Sequence, residues 1–218
     1  MFHVIDLGLS AADLTVLQTA VAGLEYEDGA KTAGTLARAV KRNAQAADTP
    51  ARAAVLKRVE AALLGSPLFL SAARPRAFAR LAVSRYEGGQ TYGSHVDDAL
   101  MNGFRTDLSM TLFLSDPGSY DGGELVIEDR IEDRGIKLPA GQLILYPSDT
   151  LHRVEPVTAG TRLAVVGWVQ SLVRDPAKRE ILFDLDQAFA AEEAAGGNRD
   201  QLNRLAKTRS NLLRMWAD

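Results

Sequence analysis

Over residues 76–172 the chain is a series of short runs rich in β-branched, apolar and aromatic residues, punctuated by turn signals. The runs are Ala77–Tyr86, Leu108–Leu114, Glu124–Glu128, Gln142–Tyr146 and Arg162–Leu172. The breakers are Glu87-Gly88-Gly89, Asp116-Pro117-Gly118, Asp121-Gly122-Gly123, Pro139-Ala140-Gly141 and Thr158-Ala159-Gly160. Successive residues of a strand face opposite sides, and no long helical period intervenes to carry a parallel crossover. Strands at this spacing predict an antiparallel sandwich or barrel.

The flanks have a different period. In residues 1–75, Ser10 with Asp13 reads as a capping box opening a helix over Ala11–Ala22. Thr49-Pro50 reads as an N-cap with proline in the first turn, and Gly65 closes that helix. Leu56, Val59, Leu63 and Leu64 are expected on its buried face. In residues 173–218, Asp175-Pro176 opens a helix whose stripe is Ile181, Leu182, Leu185 and Phe189. Gly196-Gly197 breaks it, and Gln201–Trp216 supplies another. The expected organisation is therefore an N-terminal helical support over 1–75, a β core over 76–172 and a C-terminal helical region over 173–218.

Composition narrows the chemistry. At 218 residues the chain can bury one substantial core, and a net charge of -3 gives no general pull toward nucleic acid. No apolar run approaches the roughly 18 residues of a membrane helix, and the first residues lack the pattern of a secretion signal. A cytoplasmic location is expected. Cysteine is absent, so a bound metal must be held by histidine and carboxylate, a set that suits iron or manganese.

Only three histidines are present, and two of them stand in pattern: His95-Val96-Asp97, and Leu151-His152-Arg153-Val154-Glu155-Pro156-Val157. In a strand His95 and Asp97 project to the same side and can share one ion. A later histidine on an adjacent strand completes a 2-His-1-carboxylate facial triad of His95, Asp97 and His152. Such a site holds Fe(II) on one face and leaves the other open to a co-substrate and O2. Alone, His-x-Asp is an ordinary polar strand edge; the ordered pair of elements is what carries the reading.

Arg162 follows His152 by ten positions and opens the apolar run Leu163–Val169. One reading is an exposed arginine at a strand end. The other is a buried guanidinium forked onto the distal carboxylate of 2-oxoglutarate. Tyr86 is a candidate to hydrogen-bond the same co-substrate. Tyr92 and Trp168 read as core, and His3 as a surface residue.

The residues that follow one another as Arg85-Tyr86-x-x-Gly89-x-x-Tyr92-Gly93-x-His95-Val96-Asp97, then Leu112-Phe113-Leu114-Ser115, Tyr120-Asp121-Gly122-Gly123-Glu124-Leu125 and His152-x-Val154-x-Pro156-Val157-x-x-Gly160-x-Arg162, resemble the signature of prolyl-4-hydroxylase-type Fe(II)/2-oxoglutarate dioxygenases. More narrowly the chain is similar to the bacterial PKHD-type hydroxylases, the PiuC/YbiX group. That similarity extends to Val40-Lys41-x-Asn43-x-Gln45, Arg105-Thr106-Asp107-Leu108-Ser109 and Asn211-Leu212-Leu213-Arg214. The resemblance implies a mainly β fold, a double-stranded β-helix (jelly-roll) core flanked by helices. It implies iron at His95, Asp97 and His152, 2-oxoglutarate at Arg162, use of O2 and dependence on L-ascorbate. It also implies a link to iron uptake or homeostasis. Asp98–Phe104 looks shorter than in many relatives, so no substrate-covering loop is carried over.

Two other classes stay open at this point. A metal-binding jelly-roll without oxygenase activity would have no need of Arg162. A nucleic-acid-directed oxidative demethylase would use the same iron site. Residues 30–58 carry seven Lys or Arg against one Asp, but lack interleaved aromatics for stacking bases, so a solvated helical face is the commoner explanation. The expected substrate is a small molecule or a peptide. The apolar side chains of 173–218, among them Leu182, Leu185, Phe189, Leu202, Leu205, Leu212, Leu213 and Trp216, need cover, and a homodimer through this tail is expected.

Overall fold

The computed structural model describes residues 2–32 and 34–218. Its centre is an eight-stranded antiparallel sheet. From one edge the order is His3–Asp6, Gln142–Pro147, Leu108–Phe113, Val157–Ser171, Pro75–Glu87, Ala44–Ala46 and Tyr26–Asp28, with Tyr120–Gly122 also paired to Val157–Ser171. A second, five-stranded sheet runs Arg134–Ile136, Leu125–Ile127, His152–Val154, Thr91–His95 and Lys41–Arg42. The two sheets pack face to face as a jelly-roll. Between them lie Tyr86, Phe113, Ile144 and Tyr146 from the large sheet and Leu125, Ile127 and Val154 from the small one.

The large sheet is covered on both faces, which explains why Leu108–Phe113 reads as a continuous apolar run rather than an alternating one. Leu108, Met110 and Leu112 face outward with Leu143, Leu145, Val165 and Val169. Against them pack Leu17 and Val21 of the helix Ala11–Ala22, Val55, Val59 and Leu63 of Pro50–Gly65, and Phe69 of Pro67–Ala73. The caps are those the sequence suggests. The Ser10 hydroxyl accepts from the Asp13 N–H, and the Thr49 hydroxyl from the Arg52 N–H. Ser66 closes Pro50–Gly65 and caps the next helix by accepting from the Phe69 N–H. One residue of the expected buried face is misplaced: Leu64 is 45% exposed, because Val55, Val59 and Leu63, at a spacing of four, are the buried stripe.

Residues 1–75 are not purely helical. They contribute four short strands: His3–Asp6, Tyr26–Asp28, Lys41–Arg42 and Ala44–Ala46. At two to four residues each, these are too short to show a period. Lys41–Arg42 pairs with the small sheet at Tyr92 and Thr91, and Ala44–Ala46 with the large sheet at Arg85 and Ser84. The chain therefore crosses from one sheet to the other at Asn43.

The C-terminal helices are Pro176–Ala194, capped by Asp175, and Arg199–Trp216, capped by Asn198, with Gly196 at φ 69 between them. Leu182 is buried, Leu185 and Phe189 are half-buried, and Ile181, expected in the stripe, is 50% exposed. Arg199–Trp216 has no buried residue. A partly buried ion pair, Arg74 to Asp186 at 2.6 Å, ties Pro176–Ala194 to the helix Pro67–Ala73. His3 is half-buried rather than a plain surface residue. Its ring lies 4.3 Å from that of Phe183, at the seam between the edge strand and this helix. Among the described residues no helix is long and apolar enough to cross a membrane.

Candidate metal centre and the cleft beside it

The register of the large sheet lays out the wall of the cleft between the sheets. Tyr86 stands opposite Arg162, and Ser84 opposite Ala164, which stands opposite Phe113. Ala82, Val166, Thr111 and Ile144 form the next row across, followed by Arg80, Trp168, Ser109 and Tyr146. Because every second residue shares a face, these rows are a ladder of inward side chains. The open cleft they border, about 840 Å³, is lined among others by His95, Asp97, His152, Tyr86, Arg162, Arg80 and Trp168.

On the small sheet His95 and His152 are direct cross-strand partners, with ring centroids 4.2 Å apart. Asp97 follows just beyond the strand end. His95 Nε2 lies 3.9 Å from Asp97 Oδ1, and His152 Nε2 3.8 Å from Asp97 Oδ2. Each imidazole is locked from behind: His95 Nδ1 donates to the Gly93 carbonyl and His152 Nδ1 to the Thr150 carbonyl, both at 2.9 Å. A carbonyl can only accept, so Nδ1 carries the proton and Nε2 presents its lone pair inward. Burial, and then the neighbouring His152, push the His95 imidazole down to about 4, which keeps it neutral. One ligand atom from each of the three residues falls within 4.8 Å of the others. Two imidazoles and one carboxylate, nearly buried together, suit a divalent cation, with which the carboxylate would no longer lack a counter-charge.

Asp97 is held by groups the sequence did not single out for this purpose. The Ser109 hydroxyl donates to Asp97 Oδ2 at 2.6 Å and lies 2.9 Å from the Ser148 hydroxyl. Tyr146 sets its ring edge-on to His152 at 5.2 Å, and Tyr92 stacks on His95 at 3.6 Å. Tyr92 is thus a wall of the His–Asp–His cluster rather than remote core.

At the other end of the ladder Arg162 is 1% exposed, which removes the reading of it as an exposed strand-end arginine. Its Nε and both terminal nitrogens are buried with no hydrogen-bond partner among the described residues. The guanidinium carbon lies 5.2 Å from the ring centres of Tyr86 and Phe113. Burial pushes the Tyr86 hydroxyl up to about 12, against the opposing charge of Arg162, so it stays a proton donor. The Tyr120 hydroxyl is a further buried group without a partner. Space here is set by Gly123, at φ +69: a Cβ there would meet Arg162 Cδ at 3.0 Å and Tyr120 Cε2 at 3.1 Å. A buried cation and two phenol hydroxyls at one end of a cleft make a seat for a carboxylate.

Trp168 does not stand in the core as expected. It lines the cleft, and its indole Nε1 is buried without a partner. The rim nearby includes Met101, on a two-residue hairpin turned by Asn102 (φ 51) and Gly103 (φ 81). Asn102-Gly103 is a strong hairpin signal, left unused in the sequence analysis.

Residues 81–170 match the 2OG-Fe(II) oxygenase superfamily, the class that such a fold and cluster define. Residues 176–218 match the PKHD-type hydroxylase C-terminal domain. A PKHD-type hydroxylase of Maricaulis maris is 52% identical over 193 residues, covering 88% of each chain. One of Synechococcus elongatus is 49% identical across 100% of both chains. Among solved structures, a prolyl hydroxylase of Trichoplax adhaerens in complex with a hypoxia-inducible-factor peptide fragment superposes with a TM-score of 0.59 at 17% identity, over 77% of this chain and 82% of that one. HygX of Streptomyces hygroscopicus, with nickel and 2-oxoglutarate bound, does so with a TM-score of 0.57 at 14% identity, over 79% and 84%. The chain belongs to the PKHD-type hydroxylases, and is a dioxygenase that uses Fe(II) and 2-oxoglutarate.

Proposed function

We propose that His95, Asp97 and His152 hold the Fe(II) of this hydroxylase, and that Arg162 and Tyr86 bind 2-oxoglutarate. The observation that carries the reading is the Arg162 guanidinium, buried, unpartnered and opening on the same cleft as the His–Asp–His cluster. A cation is rarely left that way unless a ligand completes it. The iron, when bound, supplies the O2 chemistry that couples decarboxylation of 2-oxoglutarate to hydroxylation of the substrate. The chain's own residues do the rest. The Gly93 and Thr150 carbonyls fix the imidazole tautomers, and Ser109 turns the Asp97 carboxylate. Arg162, with Tyr86 as a neutral donor, orients the co-substrate. Phe113, Leu125 and Val154 exclude water from the space between the sheets.

L-ascorbate belongs to this reading as the external reductant that keeps the metal ferrous. The substrate is a small molecule or a peptide side chain, and the setting is the cytoplasm. A place in iron uptake rests on the family resemblance alone. Of the seven basic residues in 30–58, Lys31 pairs with Glu27, Arg52 pairs with Asp48 and Lys41 is turned into the cleft. The test is succinate release from 2-oxoglutarate with Fe(II) and ascorbate present, across a panel of amino acids, peptides and small acids. Release should appear, and rise with a true substrate. Purified protein that makes no succinate with any of them, though loaded with iron, would refute the reading.

We further propose a two-fold dimer through the C-terminal helices, because Leu202, Leu205, Leu212, Leu213 and Trp216 are only half covered by their own chain. Light scattering at micromolar concentration should give twice the 23.5 kDa chain mass. A monomeric mass would rule the dimer out.

A further inference from the structure

Beside the proposed co-substrate seat lies one more buried polar group that the roles assigned so far do not use. Ala44–Ala46 pairs with Pro75–Glu87, Ala44 opposite Arg85 and Gln45 opposite Ser84. The next step of that register carries Asn43 to the level of Tyr86, which itself stands opposite Arg162. Asn43, Tyr86 and Arg162 thus form one row across three adjacent chain segments, with Tyr86 in the middle. Asn43 is 3% exposed, yet neither its Nδ2 nor its Oδ1 has a hydrogen-bond partner among the described residues. An amide buried in that way has given up water without replacement, a cost that a purely structural asparagine has no reason to carry.

The amide is also held in one direction. The Asn43 carbonyl accepts from the Gly29 N–H at 2.8 Å. The side chain lies on the same glycine: a Cβ at position 29 would collide with Asn43 Oδ1, so glycine makes the room for it. With Oδ1 against Gly29, Nδ2 is left for the other side, where the Tyr86 hydroxyl is its neighbour. Burial raises the proton affinity of that hydroxyl, and Arg162 and then the Asn43 amide draw it back down. The contact stops short of a hydrogen bond. Contacts of this kind commonly tighten only when the ligand arrives.

Distance decides what Asn43 can touch. Neighbouring strands lie about 4.8 Å apart, so Asn43 is about 10 Å across the sheet from Arg162. Its short side chain does not reach a carboxylate forked onto that guanidinium; it reaches Tyr86. A phenol hydroxyl both accepts and donates. With Asn43 Nδ2 donating into the Tyr86 oxygen, the Tyr86 proton needs an acceptor elsewhere. Arg162 has donors only, and Asn43 Oδ1 is turned to Gly29. A carboxylate between Tyr86 and Arg162 satisfies both.

We propose that Asn43 is a positioning residue for 2-oxoglutarate: it donates to Tyr86 Oη and so aims the Tyr86 O–H at the distal carboxylate held by Arg162. This inference rests on the proposed co-substrate site and adds the residue that sets the direction of its hydroxyl donor.

The test measures 2-oxoglutarate binding by calorimetry to the full chain loaded with Zn(II), which does no redox chemistry. Asn43→Ala should weaken binding about three- to tenfold, the worth of one hydrogen bond. Tyr86→Phe should weaken it as well. In the Tyr86→Phe background Asn43→Ala should then change the constant less than about twofold, because the hydroxyl it acts on is gone. 2-Oxopentanoate, which has the same carbon chain without the distal carboxylate, should bind Asn43→Ala and the parent alike, and so also reports an intact site. Asn43→Asp keeps the shape but accepts where the amide donates, and adds a like charge. It should weaken 2-oxoglutarate at least about tenfold, and 2-oxopentanoate less.

A 2-oxoglutarate affinity that Asn43→Ala leaves intact would overturn the proposal. So would equal losses with and without the Tyr86 hydroxyl, which mark a direct contact or a structural role. An equal loss of 2-oxopentanoate would overturn it too, since the whole site would then be damaged. Failure of the underlying co-substrate reading looks different: Tyr86→Phe and Arg162→Ala would both leave 2-oxoglutarate binding unchanged, and the role of Asn43 would fall with it.

Discussion

His152→Ala is expected to abolish stoichiometric iron binding and, with it, succinate formation. His152 supplies one of only three ligand atoms in the cluster, and no other His, Asp or Glu among the described residues belongs to that group. Its replacement leaves His95 and Asp97 to hold the ion with two of three protein positions. The control is graded. Ser109→Ala keeps all three ligands but frees Asp97 Oδ2 of its hydrogen bond, and loss of such an outer partner costs about 10–100-fold in metal affinity or activity. Iron content after dialysis should therefore fall to background for His152→Ala, while Ser109→Ala shows a weakened but measurable constant. Tight, stoichiometric iron in an Asp97→Ala, His152→Ala double variant would sink the assignment.

The difference between these two substitutions also marks what a sequence can reveal. His95, Asp97 and His152 stand out because histidine is scarce here and the His-x-Asp pair is followed, in order, by a second patterned histidine. Arg162 stands out because a charge opens an apolar strand. Ser109, Arg80 and Trp168 carry no such mark. Each is an ordinary strand residue, and only the register of Leu108–Phe113 and Pro75–Glu87 against Val157–Ser171 puts the three in one row. Register is a long-range property: Arg80 and Trp168 become neighbours through pairing of strands far apart in the chain.

The fold divides the same way. Long apolar runs bounded by glycine, and helices with side-chain caps, are legible because their cause is local. Lys41–Arg42 and Ala44–Ala46 are not, because two- and three-residue strands exist only by virtue of the sheets that recruit them. Trp168 was misassigned for a related reason. An aromatic in an apolar strand is usually core, and here the face it occupies is a cleft.

Arg162→Ala is expected to raise the 2-oxoglutarate dissociation constant by about two orders of magnitude or more. Removing one partner of a buried ion pair costs about 3–5 kcal/mol, at about 1.4 kcal/mol per tenfold. Arg162→Lys should fall between, since it restores the charge but not the two-pronged donor. The ligand-free protein offers an independent readout. In it the Arg162 guanidinium is already buried without a hydrogen-bond partner, so its truncation relieves a desolvated charge and gives up only its contacts with the Tyr86 and Phe113 rings. The ligand-free variant should melt no lower than the parent despite the lost volume, and lose only the ligand's contribution. At a 2-oxoglutarate concentration of about 100 times the parent's constant, binding stabilises the parent by about 2.7 kcal/mol. A hundredfold weaker variant at that concentration gains about 0.4 kcal/mol. The thermal shift on adding 2-oxoglutarate should thus nearly vanish in Arg162→Ala while the ligand-free melting temperature holds. An unchanged shift would assign the carboxylate to another basic residue of the cleft, with Lys41 and Arg80 the two that line it.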